Sequence, residues 1–403
     1  MSECVEEAYV YLDYAATAPL VPEALEAMRP HLQPGPSGIL QDANPNSLSA
    51  SGRTAFKALE AARRSLAASL GAGRPDEIIF TSGATEADNA ALSGIAHAAF
   101  AERVRAQTGS FTPQVITTQI EHDAVLLPAK RLEAEGFQVT YLKPDRDGFI
   151  SVQHLEEALS PETVLVSIQL ANSEVGSVQA IRQLADAAHE RGALFHTDAV
   201  QGLGKVPANV EDLGVDAASF SAHKVGGPYG VGALYLRRRT PFEPLILGGG
   251  QESARRSGTQ NVCGAVGFAA AASVATADVE AESARLRQIR DALYARLAAF
   301  DRIQPTVACP EGSQDFLPNV VNVLIKDMES QTAVLRFDAL GFAVSGGSAC
   351  SSASLDASHV LTACGICSDD AQTQLRISFG RYTDMAQAEA FLRAVPQALD
   401  WRR

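Results

Sequence analysis

Short, uninterrupted apolar runs alternate with helical patterns along the first two thirds of the chain. The runs predict strands at residues 78–81, 115–118, 164–168 and 193–197. The stretches before and between them predict helices at 53–70, 84–100, 124–134 and 181–191. Strands that are apolar throughout and separated by helices are typical of a parallel sheet covered by helices on both faces. This part of the chain therefore predicts a large, doubly wound, mostly parallel α/β domain.

The pattern loosens after residue 262. An alanine-rich run over 262–277 is interrupted by glycine and serine, so we expect a buried helix there rather than a membrane span. The elements that follow come in mixed order, which is typical of a smaller α+β domain. They are a helix at 280–300, a strand at 319–325, a helix at 331–340 and strands at 342–344 and 375–379. The glycine-rich segment 248–264 is the predicted boundary between the two domains.

Composition narrows the choice of partners and location. The 403 residues include 33 Lys and Arg against 47 Asp and Glu, a formal net charge of −14. Because this excess repels phosphate backbones and anionic lipid, we expect no nucleic-acid and no membrane partner. The six cysteines are too few and too scattered for a disulfide framework, and the N-terminus lacks the pattern of a signal peptide. These features predict a cytoplasmic protein.

Two strand ends carry residues suited to a charged ligand. The turn at 81–85 (TSGAT) leads from a strand into a helix, where backbone N–H groups favour a phosphate. An N-capped helix without a ligand has the same pattern. Asp198 ends a buried strand, the place where ligands bind in parallel sheets, and it suits a cation or a protonated ring nitrogen. A helix N-cap is an equal alternative for this aspartate.

Lys224 and Cys350 are the candidate nucleophiles. Lys224 lies in an apolar, glycine-rich segment, where a lysine has a depressed pKa and attacks aldehydes, although a lysine extending from a loop to solvent is the alternative. Cys350 lies among glycines, serines and alanines, the surroundings of a reactive rather than a structural thiol. The pair Cys364 and Cys367 cannot complete a four-ligand zinc site alone, so no metal site is expected. A metal or redox role, with His359 and Cys350 joining the pair, is the alternative.

The combination is more specific than its parts. A phosphate turn, a strand-end aspartate and a lysine 26 residues later resemble the site of the class V aminotransferase-like, fold-type I pyridoxal-phosphate enzymes. Within that group the chain resembles the cysteine desulfurases whose active thiol lies in a Ser-Gly-x-Ala-Cys-type loop. The resemblance runs over nearly the whole chain. Its landmarks are residues 11–17 (YLDYAAT), 44–47 (NPNS), 81–86 (TSGATE), 121–122 (EH), 172–176 (NSEVG), 196–201 (HTDAVQ), 219–228 (SFSAHKVGGP), 256–259 (RSGT), 345–354 (SGGSACSSAS) and 376–381 (RISFGR).

The resemblance implies an architecture and a reaction. It implies a large cofactor-binding domain at 16–260, and a small domain made of 1–15 and 261–403 that carries the cysteine loop. It implies a homodimer with pyridoxal 5′-phosphate as cofactor. L-cysteine would be converted to L-alanine, leaving a persulfide on Cys350. A scaffold or carrier protein would accept that sulfur for iron–sulfur cluster assembly or thio-modification.

The resemblance also assigns roles to residues. Lys224 would form the Schiff base with the cofactor and later move the substrate Cα proton, and Asp198 would keep the pyridine nitrogen protonated. His122 would stack on the ring and act as an acid or base, and Gln201 would hydrogen-bond the ring hydroxyl oxygen. The phosphate would be held by Ala84, Thr85, Ser221 and His223, with Thr259 reaching the phosphate of the neighbouring subunit.

Substrate binding and the departures from the family pattern complete the expectations. Arg376 would bind the substrate carboxylate, with Asn44 helping. Where the family usually has Asn-Asn-Glu, this chain has Asn172 and Ser173 before the glutamate, so the second ring-oxygen contact would fall to either residue. The histidine often found after Asn-Pro-x-Ser is replaced by Ser49. The sequence stops at Arg403, sooner than in relatives that dock an iron–sulfur scaffold, which leaves the acceptor open.

Other functions remain open at this stage. A selenocysteine or cystine lyase, or a transaminase for small amino acids, would keep the cofactor and change the reaction. A transaminase has no use for Cys350. A non-catalytic homodimeric partner protein would be expected to have lost Lys224 or Asp198, and both are present. We also consider the hypothesis that Cys364 and Cys367 relay or protect sulfur.

Overall fold

A computed structural model describes residues 9–32, 38–106, 111–347 and 357–400 of the chain. The strands are β1 (Val10–Tyr11), β2 (Ile78–Thr81), β3 (Gln114–Thr118), β4 (Gln138–Leu142), β5 (Thr163–Ser167), β6 (Leu194–Asp198), β7 (Ala217–Ser221), β8 (Gly232–Leu236), β9 (Ile303–Pro305), β10 (Val320–Ile325), β11 (Phe342–Ala343) and β12 (Gln374–Ser378). The α-helices are α1 (Pro22–Met28), α2 (Ala50–Leu70), α3 (Ala84–Ala106), α4 (Asp123–Ala134), α5 (Val152–Ala158), α6 (Ile181–Glu190), α7 (Val210–Leu213), α8 (Val262–Thr276), α9 (Val279–Leu297), α10 (Ser330–Ala339), α11 (His359–Ala363), α12 (Ser368–Ala371) and α13 (Met385–Leu399).

Seven strands form the large sheet, in the order β2-β8-β7-β6-β5-β3-β4. All are mutually parallel except β8, which pairs antiparallel with both β2 and β7. The short glycine- and proline-containing turn between β7 and β8 leaves no room for a crossover helix, so β8 must return antiparallel. The predicted doubly wound, mostly parallel sheet is confirmed, and the parallel strands end at one common edge.

Helices cover both faces of this sheet. On one face, side chains of α2, α6 and α8 share a core with the sheet, and on the other face α3 and α4 do the same. Helix α2 buries a stripe that includes Leu59, Leu66 and Leu70, begins at the Ser49 N-cap and ends at Gly71 in the left-handed conformation. Because both faces are covered, every residue of β3 and β5 is buried, and the central positions 115–116 and 164–166 are apolar.

A second core lies around the smaller sheet, whose strand order is β12-β10-β9, all antiparallel. Helices α9, α10 and α13 contribute to this core, and so does strand β1, which pairs with β11. Helix α8, which the predicted domains place with the small domain, packs instead against α1 and α2 in the large core. The two cores therefore divide after α8, later than the predicted boundary at 260–261, and the domain assignment itself stays a prediction.

Helix α8 is also the most apolar helix. No single helix of the described segments is long and apolar enough to cross a membrane. Helices α8 and α9 pass that test only as a pair, by length and composition, and they are bent by 72° at their junction. Most of the α8 side chains that would face lipid are buried in the large core, as predicted for a core helix.

Candidate active site

A cavity of about 370 Å³ opens at the edge where the parallel strands of the large sheet end. Strand-end residues and residues of the small core both line it. Eleven of the predicted site residues are among them, namely Ala84, Thr85, His122, Asn172, Ser173, Asp198, Gln201, Ser221, His223, Lys224 and Arg376. They come from segments far apart in sequence because consecutive parallel strands deliver their carboxyl ends to the same edge.

The predicted phosphate turn joins β2 to the start of α3. Its backbone reaches the sheet closely, since a Cβ at Gly232 would lie 2.6 Å from the Gly83 carbonyl carbon. Glu86 accepts a hydrogen bond from Ser82 N at 2.8 Å and forms a bidentate ion pair with Arg256. The first N–H groups of α3 thus face the cavity beside a carboxylate that is already neutralised, an arrangement that suits an anion.

Asp198 ends β6, and its Oδ1 accepts a hydrogen bond from Val200 N at 2.9 Å. Burial raises the pKa of Asp198, while the neighbouring His122 and Lys224 lower it. Asp88, Glu121 and Glu174 are further buried acids that line the cavity. Burial and the charge of Asp198 raise the pKa of Asp88 well above its usual range, and burial raises the pKa of Glu121 to about 8. A cation placed at Asp198 would offset this cost of burying negative charge.

A buried histidine lies among these acids. His196 contacts Ser167 Oγ through Nδ1 at 2.9 Å and Ser219 Oγ through Nε2 at 3.0 Å, and its Nε2 lies 3.7 Å from Asp88 Oδ1. Burial lowers the pKa of His196 to about 3, so the ring is neutral. Asp88 Oδ1 is a buried atom without a hydrogen-bond partner in the structure. The motif residues alone gave no signal for Asp88, although it lies one helical turn after Ala84.

Lys224 follows β7 in a single turn of 3₁₀ helix, Ala222–Val225. Its Nζ donates to the carbonyl oxygens of Ala15 at 2.6 Å and Ala16 at 2.9 Å. The lysine is thus directed into the cavity rather than to bulk solvent, and it contacts the N-terminal segment. The adjacent His223 has a pKa lowered to about 4 by burial and by the charge of Lys224, so its ring is neutral and can donate to an anion.

His122 and Gln201 occupy different walls of the cavity. His122 precedes α4 and its Nδ1 accepts a hydrogen bond from Ala124 N at 3.0 Å, which leaves the proton of the neutral ring on Nε2. Gln201 Nε2 donates to Ala15 O at 3.0 Å. Its Oε1 accepts a hydrogen bond from Lys205 Nζ at 3.1 Å. The exposed imidazole face and the amide donor both suit a flat aromatic ligand that carries an oxygen.

Arg376 projects from β12 of the small core and is almost fully buried. Its Nη2 donates to Asp13 Oδ1 at 2.9 Å and its Nη1 to Ser173 O at 3.2 Å, while Nε is buried without a partner. The ion pair and the carbonyl contact fix the plane of the guanidinium. Such a fixed, incompletely satisfied guanidinium suits a small carboxylate.

The structure separates the roles of Asn172 and Ser173. Asn172 Oδ1 accepts from Glu174 N and Val175 N, and its Nδ2 donates to Ile120 O. This side chain therefore shapes the turn after β5. Ser173 lies on the cavity wall and contacts Arg376 through its backbone oxygen. Of the two residues, Ser173 is the better placed for a second contact to a ligand oxygen.

Two of the predicted residues that the structure describes do not line this cavity. Cys350 lies outside the described residues. Asn44 and Thr259 are exposed and do not line the cavity of their own chain, so the expected approach of Asn44 to Arg376 is not seen. The segments of Asn44 and Thr259 lie together, since Asn46 Nδ2 donates hydrogen bonds to Asn44 Oδ1 and to Gln260 Oε1.

The second pair of cysteines divides between core and surface. Cys364 is buried in the small core, and burial raises the pKa of its thiol to about 12. Cys367 is exposed and caps α12 by accepting a hydrogen bond from Asp370 N. Within the described ranges no three His, Cys, Asp or Glu side chains form a group that could hold a metal ion. A protonated, buried Cys364 does not suit a sulfur relay.

Comparison with known proteins identifies the family. The aminotransferase class-V model matches residues 10–391, so the chain belongs to this family. The family is pyridoxal-phosphate dependent, which confirms the expected cofactor. The residues fit that group. They include a helix N-terminus for the phosphate, the amine of Lys224 for the aldehyde, and the buried carboxyl group of Asp198 for the ring nitrogen.

The relatives point to one kind of member, the cysteine desulfurases. The chain is 43% identical to "Cysteine desulfurase IscS" of Dictyoglomus turgidum, over 93% of this chain and 90% of that protein. It is 41% identical to the protein of the same name in Methanosarcina thermophila, over 97% and 92%. A solved NifS-like protein covers 98% of this chain and all of its own, with a TM-score of 0.86 and 35% identity. SspA in complex with cysteine covers 93% and 99%, with a TM-score of 0.76 and 36% identity. The expected family and fold class are confirmed.

The raised pKa of Glu121 leads us to expect that the free energy of unfolding depends on pH. Its folded-state pKa of about 8 exceeds the ordinary 4.5, so the folded protein binds the extra proton between these values. This contribution to stability is complete below pH 4.5 and is lost as pH rises through 8. We expect Glu121→Gln, which cannot ionise, to gain up to about 5 kcal/mol relative to the wild type across that range.

The measurement is chemical denaturation of the cofactor-free protein at several pH values from 5 to 8.5. The exposed Glu157→Gln is the matched control, and its difference from the wild type should stay constant with pH. A constant difference for Glu121→Gln as well would show that the buried carboxyl is not protonated in the folded protein.

Proposed function

We propose that this enzyme is a cysteine desulfurase that converts L-cysteine to L-alanine with pyridoxal phosphate in the described cavity. One observation supports this most. The amine of Lys224, the carboxylate of Asp198, the turn at the start of α3 and the guanidinium of Arg376 all line the same cavity. These four groups match an aldehyde, a protonated ring nitrogen, a phosphate and a substrate carboxylate.

When bound, pyridoxal phosphate supplies an aldehyde that forms an imine with an amine and a ring that accepts electrons. Lys224 would hold the cofactor by its Nζ amine, and the same Nζ, once freed by the substrate amine, would take the proton from the substrate Cα and return it later. Asp198 keeps the ring nitrogen protonated, and Arg376 orients the substrate by its carboxylate. His122, placed after β3, covers the ring and exchanges protons through Nε2.

The sulfur step belongs to Cys350. Its thiolate attacks the substrate sulfur, forming a sulfur–sulfur bond while the bond between sulfur and Cβ breaks. The electron pair of that bond stays on carbon, which takes up a proton. L-cysteine and a thiol thus give L-alanine and a persulfide, with no external oxidant. The persulfide then passes to an acceptor protein used in iron–sulfur cluster assembly or in thio-modification.

We also propose a homodimer, in which Thr259 contacts the phosphate held by the partner subunit. Thr259 is exposed and away from its own cavity, and apolar side chains nearby lack cover. Leu247 is 79% exposed and Leu48 is 91% exposed. A second copy that covers this surface would bury them. Sedimentation equilibrium should give twice the chain mass, and a single-chain mass would contradict the proposal.

The free cysteine thiols support a proposal for the cellular compartment of the enzyme. Cys263, Cys309, Cys364 and Cys367 are free, and a reducing compartment keeps them so. A persulfide on Cys350 also survives longer where competing disulfides are scarce. We therefore propose that the enzyme acts in the cytoplasm.

The test of the function starts from the purified protein and its absorbance spectrum. We expect a visible band from the lysine-bound cofactor. Added L-cysteine should give L-alanine and, with a thiol reductant, an equal amount of sulfide. L-serine, which has oxygen in place of sulfur, is the matched control and should give neither. A band without alanine from L-cysteine would overturn the desulfurase and leave another pyridoxal-phosphate reaction.

A further inference from the structure

Lys205 is a buried lysine that none of the roles above uses. It lies four residues after Gln201, in the turn that follows β6, and is only 8% exposed. Its Nζ donates a hydrogen bond to Gln201 Oε1 at 3.1 Å. On the other side of the same amide, Gln201 Nε2 donates to Ala15 O at 3.0 Å. The two contacts hold the Gln201 amide from opposite ends.

The chemistry of these partners fixes the direction of the amide. The backbone carbonyl of Ala15 only accepts hydrogen bonds, so it takes the amide nitrogen of Gln201 and leaves the amide oxygen to accept from Lys205 Nζ. Gln201 must therefore turn Oε1 toward Lys205 and Nε2 toward Ala15. Each amide nitrogen carries two hydrogens, so Nε2 retains a second hydrogen for a ligand in the cavity that Gln201 lines. That part of the cavity wall is a hydrogen-bond donor, which favours an anionic oxygen.

Lys205 also lies close to the catalytic amine. A smaller cavity of about 70 Å³ is lined by both Lys205 and Lys224. The charge of Lys224, together with burial, lowers the pKa of Lys205 to about 7. The Lys205 backbone oxygen accepts a hydrogen bond from Ser283 Oγ of α9, which fixes the main chain at this point. Lys205 is thus held in place from both its backbone and its side chain.

We propose that Lys205 is a positioning residue, which holds the Gln201 amide so that its Nε2 donates to the ring oxygen of pyridoxal phosphate. The proposal rests on the proposed function, because it needs the cofactor in this cavity. A hydrogen bond from Nε2 stabilises the ionised form of that oxygen. Without Lys205, Oε1 becomes a buried acceptor with no donor, and the amide has to move to satisfy it.

The test replaces Lys205 with methionine, which has a similar shape and no donor. The imine with an ionised ring oxygen absorbs at longer wavelength than the imine with a protonated one. In Lys205→Met at fixed pH we expect the ratio of the long- to the short-wavelength band to fall roughly tenfold. We expect the Kd for pyridoxal phosphate, measured by titrating the cofactor-free protein, to rise roughly tenfold as well.

Three controls separate positioning from general damage. Lys205→Arg keeps the donors, and the adjacent small cavity has room for the larger head, so it should restore most of the band ratio. Lys143→Met removes an exposed lysine and should match the wild type. In a Gln201→Ala background, Lys205→Met should change the ratio no further, because its effect acts through Gln201.

Either of two results would overturn the proposal. One is an unchanged band ratio in folded Lys205→Met, and the other is an equally large change in the Gln201→Ala background. Both outcomes require the wild type to show a lysine-bound cofactor. If the wild type shows no such band, the proposed cofactor site itself fails, which is a different result from a failure of Lys205 alone.

Discussion

Replacement of Lys224 by alanine is expected to remove the visible band of the lysine-bound cofactor and to lower kcat/KM for alanine formation by at least about 10⁴-fold. The reason is that one atom has two tasks. In the proposed function Lys224 Nζ both holds the cofactor and moves the Cα proton. The neighbouring Lys205 does not line this cavity and donates to Gln201 instead. The measurement is an absorbance spectrum with added cofactor, followed by assay of alanine from L-cysteine.

The same substitution has a structural consequence that needs a control. Lys224 Nζ bonds the carbonyl oxygens of Ala15 and Ala16, so its loss removes two hydrogen bonds to the N-terminal segment. At about 1 kcal/mol per bond, this should lower stability without unfolding the protein. Lys326→Ala, on the surface, should keep both band and activity. Retention of the visible band by folded Lys224→Ala would contradict the assignment of the cofactor amine.

The sequence predicted several strands that bear the site, because burial on both faces leaves a run of apolar residues, but it did not predict β7, which precedes Lys224, or its neighbour β8. Strand β2 has the predicted bounds, and β6 differs by one residue at each end. Helices cover both faces of the sheet, so apolar residues make up most of β2 and the first two positions of β6. The edge strand β4 was not predicted, since it is partly exposed and alternates in character. Helix α8 was predicted correctly, but its packing partners are remote in sequence, and no local pattern shows which core it joins.

Site residues could be predicted where their chemistry is distinctive, as it is for a lysine amine or a strand-end aspartate in a motif. Lys224 and Asp198 were predicted from their spacing in the sequence, and both line the same cavity in the structure. Lys205 and Asp88 could not be predicted as parts of the site. Lys205 is linked to it by a hydrogen bond to Gln201, and Asp88 lies near the buried His196, and only the folded structure shows these contacts. Thr259 could not be placed by one chain either, since its surroundings in the proposed function include a second subunit.

Arg376 belongs to the small core and contacts a residue that follows a strand of the large sheet. It belongs to a strand of the small sheet, but its guanidinium contacts Ser173 after β5 of the large sheet. Asp13, which holds the other end of the guanidinium, comes from the N-terminal segment that also contacts Lys224 through Ala15. In the proposed function, one connected set of contacts would therefore position both the substrate carboxylate and the cofactor amine. Relative movement of the two cores would change both together.

Replacement of Cys350 by serine is expected to abolish sulfide release and alanine formation, by at least about 10³-fold, while leaving the visible cofactor band intact. A serine hydroxyl is not ionised at neutral pH and does not take up sulfur as a thiolate does. The cofactor band depends on Lys224 and should not change. The measurement is the spectrum, with sulfide and alanine assayed together, and mass spectrometry of the wild type after L-cysteine for one added sulfur on the peptide of Cys350.

The other cysteines provide the controls that make this result specific. Cys309→Ser, and the double variant Cys364→Ser with Cys367→Ser, should release sulfide at the wild-type rate. Cys364 is buried with a pKa of about 12, so it holds its proton and is a poor nucleophile. If the double variant lost sulfide release while Cys350→Ser retained it, the thiol that accepts sulfur would have to be sought at Cys367. Loss in Cys350→Ser alone, with the cofactor band unchanged, separates the sulfur step on Cys350 from the proton chemistry of Lys224.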